Sequence, residues 1–181
     1  MKKLPVIAAA LVLLAVPAAV QAELPVGARA PAFATQGALA GADFAFNLRA
    51  ALQRGAVVLY FYPKAFTQGC TLETRAFADA HDQFTAAGAT VIGMSADDLP
   101  TLRRFSTEAC RNKFAVAVAT PAIIQAYDVA LKSGGTASGM TSRTSYVIAR
   151  DGRVRMVHAD MDYRDHVRLT LEAVQALRRP R

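Results

Sequence analysis

Only two cysteines, Cys70 and Cys110, occur in the 181 residues. They are far apart in the chain, and Gly69-Cys70-Thr71-Leu72-Glu73 holds no second thiol. A disulfide carrier built on a C-x-x-C pair is therefore disfavoured. The three histidines, His81, His158 and His166, form no H-x-x-x-H or His/Cys ligand set. They read as surface or structural residues, and neither a metal nor a cofactor is predicted. Internal repeats and low-complexity tracts are also missing. Lys and Arg outnumber Asp and Glu by 21 to 14, but no basic stripe with interleaved aromatics is present. Apart from the tail Arg178-Arg179-Pro180-Arg181, the arginines are scattered along the chain. Such charge reads as a solvated surface and argues against a nucleic-acid partner.

The chain has one long apolar run, Leu4 to Val20, preceded by Lys2 and Lys3 and followed by Val20-Gln21-Ala22. A basic start, an apolar stretch and a small-residue end make residues 1–22 a secretory signal peptide. A retained membrane anchor is the alternative; Pro17 and the A-x-A-like end argue against it. No cysteine stands at the cleavage point, which argues against a lipoprotein. The expected mature chain, Glu23 to Arg181, is of a length for one domain with a single core. Losing Lys2 and Lys3 takes the formal charge from +7 to +5. The address is periplasmic or secreted, with no stable membrane association after cleavage.

Along the mature chain, Phe33–Thr35 and Phe44–Leu48 predict a short hairpin around Gly37 and Gly41. Ala56–Tyr62 is a near-continuous apolar run, as in a central strand covered on both faces. From Cys70, apolar residues at Phe77, Ala80 and Phe84 recur at helical spacing until Gly88. Cys70 lies seven residues before Phe77, on the core-facing side. A strand over Thr90–Met94 follows. Ser95–Asp98 supply N-cap candidates for a helix carrying Leu99, Leu102, Phe105 and Ala109, with Cys110 near its C-terminal end at the edge of the buried face. Ala115–Ala119 reads as a strand, Pro121–Tyr127 as a short helix and Lys132–Ser142 as a flexible Gly-containing loop. Ser145–Ala149 and Arg153–His158 flank Asp151-Gly152, a hairpin signal, before a helix over about Tyr163–Leu177. This alternation predicts an α/β sandwich with a mixed sheet.

Cys70 stands in the first turn of its helix, where backbone N–H groups lack partners and the macrodipole favours a thiolate over a thiol. On placement alone, a nucleophile and an inert buried cysteine are both open. A structural Cys70–Cys110 disulfide is also open in an oxidising compartment.

The surrounding wording separates these readings. Pro63, Thr67 and Cys70 reproduce the P-x-x-x-T-x-x-C signature of the peroxiredoxins. The run F-Y-P-K-x-F-T-x-G-C-T-x-E resembles the bacterioferritin-comigratory or Q-type branch. Arg143-Thr144-Ser145-Tyr146-Val147-Ile148 resembles the strand that carries the family's active-site arginine, and Leu24-Pro25-Val26-Gly27 its usual opening. The resemblance implies a thioredoxin-like fold and a thiol peroxidase. It implies Cys70 as peroxidatic nucleophile, Thr67 and Arg143 as its catalytic partners, and Pro63, Thr67, Gly69 and Arg143 around the peroxide. Singly, each has a plainer role: Thr67 as a helix cap, Pro63 as a strand end, Arg143 as a surface cation. Glu73 matches the motif too, yet on sequence alone it only favours the helix N-terminus.

The chain departs from the commoner Q-type pattern at Arg75, where a resolving cysteine is usual, at Ala65, usually acidic, and at Gln68, usually proline. Cys110 is the remaining thiol, and the resemblance implies that it resolves Cys70 in an intramolecular disulfide after local unwinding. The rival is a one-Cys enzyme served by an external thiol. The expected partners are a peroxide and a thioredoxin-like or other dithiol reductant, and the expected state is a monomer. Outside this class, the alternatives are an exported disulfide oxidoreductase and a non-enzymatic protein with a structural disulfide.

Overall fold

The computed structural model describes residues 23–178, so the segment read as a signal peptide lies outside the described residues. The apolar run at Ala56 becomes β3 (Ala56–Phe61), and its alternate side chains serve two cores. Val58 and Tyr60 pack with α2 (Gln68–Ala86), α3 (Leu99–Glu108) and α5 (His166–Ala176). Val57, Leu59 and Phe61 pack with α1 (Leu48–Arg54) and α4 (Pro121–Ala126). A strand buried on both faces explains why the run does not alternate in polarity.

On one side β3 pairs in parallel with β4 (Ala89–Ser95), and on the other antiparallel with β8 (Thr144–Ile148). The sheet is completed by the hairpin β1 (Ala34–Leu39) and β2 (Ala42–Asn47), by β5 (Ala115–Val118) and by β9 (Val154–Ala159), in the order β2-β1-β5-β4-β3-β8-β9. This mixed sheet between helical layers is the expected thioredoxin-like arrangement. Gly37 is needed where β1 meets β5, because a Cβ there would lie 2.2 Å from the Val116 carbonyl oxygen.

The structure departs from the sequence reading in three places. Helix α1 was not foreseen; Asn47 caps it by accepting from the Ala50 amide at 3.0 Å. The predicted loop over Lys132–Ser142 is mostly a two-stranded hairpin, β6 (Ala130–Ser133) with β7 (Thr136–Thr141), because Gly134 and Gly135 supply the two positive-φ residues of a tight turn. Cys110 lies past the end of α3 and is fully buried, not at the edge of the buried face. The predicted cap of α3 holds: Asp98 accepts from the Thr101 amide at 2.9 Å.

Candidate active site

Where β3 leaves the sheet, Tyr62 and Pro63 lead into a turn and then into α2, whose third residue is Cys70. The first backbone hydrogen bond of that turn runs from the Thr71 amide to the Thr67 carbonyl at 2.9 Å. The amides of Gly69 and Cys70 precede this ladder and belong to the positive end of a 19-residue helix. Phe66, just before the cap residue Thr67, takes a φ of +63°. Its ring stands edge-on to Phe105 of α3 at 5.1 Å, with the Arg104 guanidinium over it. Asp97 holds the same turn, accepting from the Ala65 amide at 2.7 Å and from Ser95 Oγ at 2.8 Å. The strained turn is thus clamped to the β4–α3 connection.

Arg143, immediately before β8, is 5% exposed, which removes the surface-cation reading. Its Nη2 lies 3.4 Å from Cys70 Sγ, its Nη1 donates to Glu73 Oε2, and its Nε donates to the Met161 carbonyl at 3.0 Å. Three separate partners fix the plane of the guanidinium against the sulfur. Gly69 leaves room for it, since a Cβ there would stand 3.3 Å from Nη2. Thr67 is the cap residue, but its side chain makes no capping bond; its Oγ donates to the Lys64 carbonyl at 2.9 Å. Pro63 is half-buried beside this turn. The structure therefore gathers Pro63, Thr67, Gly69, Cys70 and Arg143 at one end of β3.

Sequence reasoning missed the support behind them. Glu73 and His166, one read as a dipole effect and the other as a surface or structural residue, are both fully buried. Glu73 Oε1 lies 3.7 Å from His166 Nδ1, which is 2.8 Å from Ser145 Oγ. His166 Nε2 is 3.0 Å from the Asp160 carbonyl, an acceptor only, so the proton of the neutral ring sits on Nε2 and Ser145 donates to Nδ1. Burial raises the Glu73 carboxyl to about 8, with Arg143 pulling the other way. Burial lowers His166 to about 4. The sequence signals were the match of Glu73 to the motif, three residues after Cys70, and a polar Ser145 in an apolar strand.

Cys110 has a different setting. It shares a core with Cys70, Tyr60, Tyr62, Phe105 and Phe114, and burial pushes its thiol well above the ordinary range. Tyr62 lies close enough to both thiols to feel charge on either. The two residues after Cys110, Arg111 and Asn112, have φ of +50° and +61°. Arg111 pairs with Asp79 at 2.5 Å and Lys113 with Asp82 at 3.4 Å, holding the segment on α2. Both cysteines are free thiols in this structure. Among the described residues, no cluster of three or more His, Cys, Asp or Glu is arranged to hold a metal.

Residues 26–157 match the AhpC/TSA family. The chain belongs to this family. Among its relatives is peroxiredoxin Q of the chloroplast of Suaeda salsa, 32% identical over 126 residues, covering 67% of this chain and 56% of the relative. Peroxiredoxin Bcp of Bacillus subtilis is 31% identical over 124 residues, covering 67% of this chain and 77% of that one. The chain thus spans little more than half of the chloroplastic relative. The crystal structure of peroxidoxin BcpB from Mycobacterium tuberculosis superposes with a TM-score of 0.76 at 25% identity, covering 88% of this chain and all of that one. The fold of this AhpC/TSA member, with Cys70 opening α2 and Arg143 ahead of β8, is that of a peroxiredoxin.

Proposed function

We propose that the protein is a thiol-dependent peroxidase whose nucleophile is Cys70. The observation that carries the reading is the Cys70 sulfur at a helix N-terminus, 3.4 Å from a guanidinium already held by Glu73. The thiolate attacks one peroxide oxygen; the O–O bond breaks, Cys70 becomes a sulfenic acid, and the departing oxygen takes a proton to leave as water or an alcohol. Arg143 and the amides of Gly69 and Cys70 supply donors for the charge that grows on that oxygen. Thr67 Oγ, whose hydrogen is committed to Lys64, keeps lone pairs to accept from the peroxide O–H. Pro63 shields the sulfur from water.

Resolution falls to Cys110. Its thiol condenses with the sulfenic acid, releasing water and forming a Cys70–Cys110 disulfide, which a dithiol reductant reopens by exchange. Burial of both sulfurs requires the segment after α3, with its two positive-φ residues, to come away from α2 first. A one-Cys cycle resolved by an external thiol is the second reading, favoured by the full burial of Cys110. The protein acts as an exported monomer after removal of residues 1–22.

Intact mass and peptide mapping after one equivalent of hydrogen peroxide test the cycle. Loss of two hydrogens with a Cys70–Cys110 linkage supports it. Sulfinic acid on Cys70 with Cys110 unmodified supports the one-Cys cycle, and an unreacted protein after minutes ends the peroxidase reading. Cell fractionation with N-terminal sequencing tests export, and sedimentation velocity tests the monomer.

A further inference from the structure

The arginines that are scattered in the sequence are gathered by the fold. We propose that the pole of the molecule opposite Cys70 is a docking surface for an anionic phospholipid bilayer. This inference is independent of the peroxidase reading.

Two adjoining open grooves, of about 620 and 610 Å³, lie at the end of the sheet where β3 begins. Arg29, Arg49 and Arg150 line the first; Arg54, Arg155 and Arg178, with Arg150 again, line the second. All six side chains are exposed, and Asp151 is the only acidic residue lining either groove. β3 starts just after Arg54 and ends toward Pro63, so its six residues set the grooves about 20 Å from the cysteine.

Ordinary structural duties account for part of the set. Arg150 donates to the Gln53 carbonyl at 2.8 Å, and Arg178 donates to the Ala86 carbonyl, so each caps a helix C-terminus. Capping a carbonyl fixes an arginine without neutralising it. Of these six arginines, only Arg155 has a carboxylate partner among the described residues, Asp151 at 2.5 Å. Among the described residues the side chains of Arg29, Arg49 and Arg54 make no hydrogen bond or ion pair, which leaves their forks for phosphate.

The chemistry around the cations selects the polyanion. No aromatic side chain lines either groove, so bases have nothing to stack on. Exposed aliphatic residues are present instead. Leu177, 39% exposed, lines the second groove, and Val26, 62% exposed, precedes Gly27, whose carbonyl accepts from Arg153. Phosphate-binding arginines flanked by exposed aliphatics suit a lipid headgroup layer, bound reversibly and screened by salt. No helix among the described residues is long and apolar enough to cross a membrane, so contact through this pole is peripheral. Docking this way leaves the Cys70 end facing away from the bilayer.

The test is co-sedimentation of the purified protein, its N-terminus identified by intact mass, with vesicles of phosphatidylcholine alone or mixed equally with phosphatidylglycerol. We expect binding to the anionic vesicles only, weakening steeply as salt rises. Arg29→Gln/Arg49→Gln/Arg54→Gln, which touches no capping bond, should weaken it about 100-fold. Arg75→Gln/Arg104→Gln/Lys132→Gln, removing the same charge elsewhere, should not. Equal binding to neutral vesicles, no binding to anionic ones, equal loss in both variants, or stronger binding to duplex DNA at the same salt each overturn the proposal. The salt series on the unmodified protein decides the matter even if a variant fails to fold.

Discussion

Cys70 and Cys110 are buried to the same degree, 1% and 0% exposed, within one apolar core. One faces a guanidinium at the start of a long helix, and the other sits among aromatic rings past the end of a short one. Burial alone holds a thiol in its protonated form, as at Cys110. At Cys70 the same depth comes with a guanidinium and a helix terminus, the setting on which the proposed nucleophile rests. The lesson is that the cysteines' neighbours, not their exposure, set the two apart.

The largest effect that sharpens this contrast is Cys70→Ser, which should lower the rate of peroxide consumption by at least about 10³-fold, measured by stopped flow. Next, Arg143→Lys keeps the charge but loses the fork that reaches Glu73 and Cys70 together. A loss of about 10²–10³-fold in kcat/KM is expected, with the thermal unfolding profile checked alongside. An unchanged rate would mean that the 3.4 Å contact has no chemical role. Cys110→Ser should leave the first turnover unchanged and stop disulfide formation, with Cys70 sulfinic acid accumulating under repeated peroxide as read by mass spectrometry.

The smallest effect concerns Glu73. Its folded carboxyl, held at about 8 against 4.5, contributes stability that is full below 4.5 and lost as pH rises through 8. His166, held at about 4 against 6.5, acts in the opposite sense: its contribution is full above 6.5 and lost as pH falls through 4. The two contributions oppose each other between pH 4.5 and 6.5. Glu73→Gln should therefore flatten the fall in stability between pH 6.5 and 8, a slope of at most about 1.4 kcal/mol per pH unit, and uncover the rise due to His166 below 6.5. Urea denaturation at a series of pH values reads it, and an identical slope in the variant would show that Glu73 stays ionised throughout.

Much of this molecule was legible along the chain because its signals are local. The heptad spacing of Cys70, Phe77 and Phe84, all at most 1% exposed, follows from the period of a helix. The run at Ala56 and the Asp151-Gly152 turn likewise marked a buried strand and a hairpin through side-chain period and turn chemistry. What lay outside the local pattern was hidden. Gly134 and Gly135 read as part of a flexible loop, and only the pairing of β6 with β7 makes them a tight turn.

By itself, then, the sequence determined the order of strands and helices apart from α1 and the β6–β7 hairpin, the placement of Cys70 in a helix's first turn and the motif residues around it, since each depends on neighbours within one or two turns. Tertiary structure alone decided the rest. Glu73 and Arg143 are 70 positions apart and Ser145 and His166 are 21 apart, yet they share one buried network because β8 pairs with β3 and α5 packs on α2. The arginines of the far pole come from the segment before β1, from α1, the β8–β9 turn, β9 and the end of α5. Their common charge exists only once the sheet brings those ends together, since Coulomb interaction depends on distance in space and not along the chain.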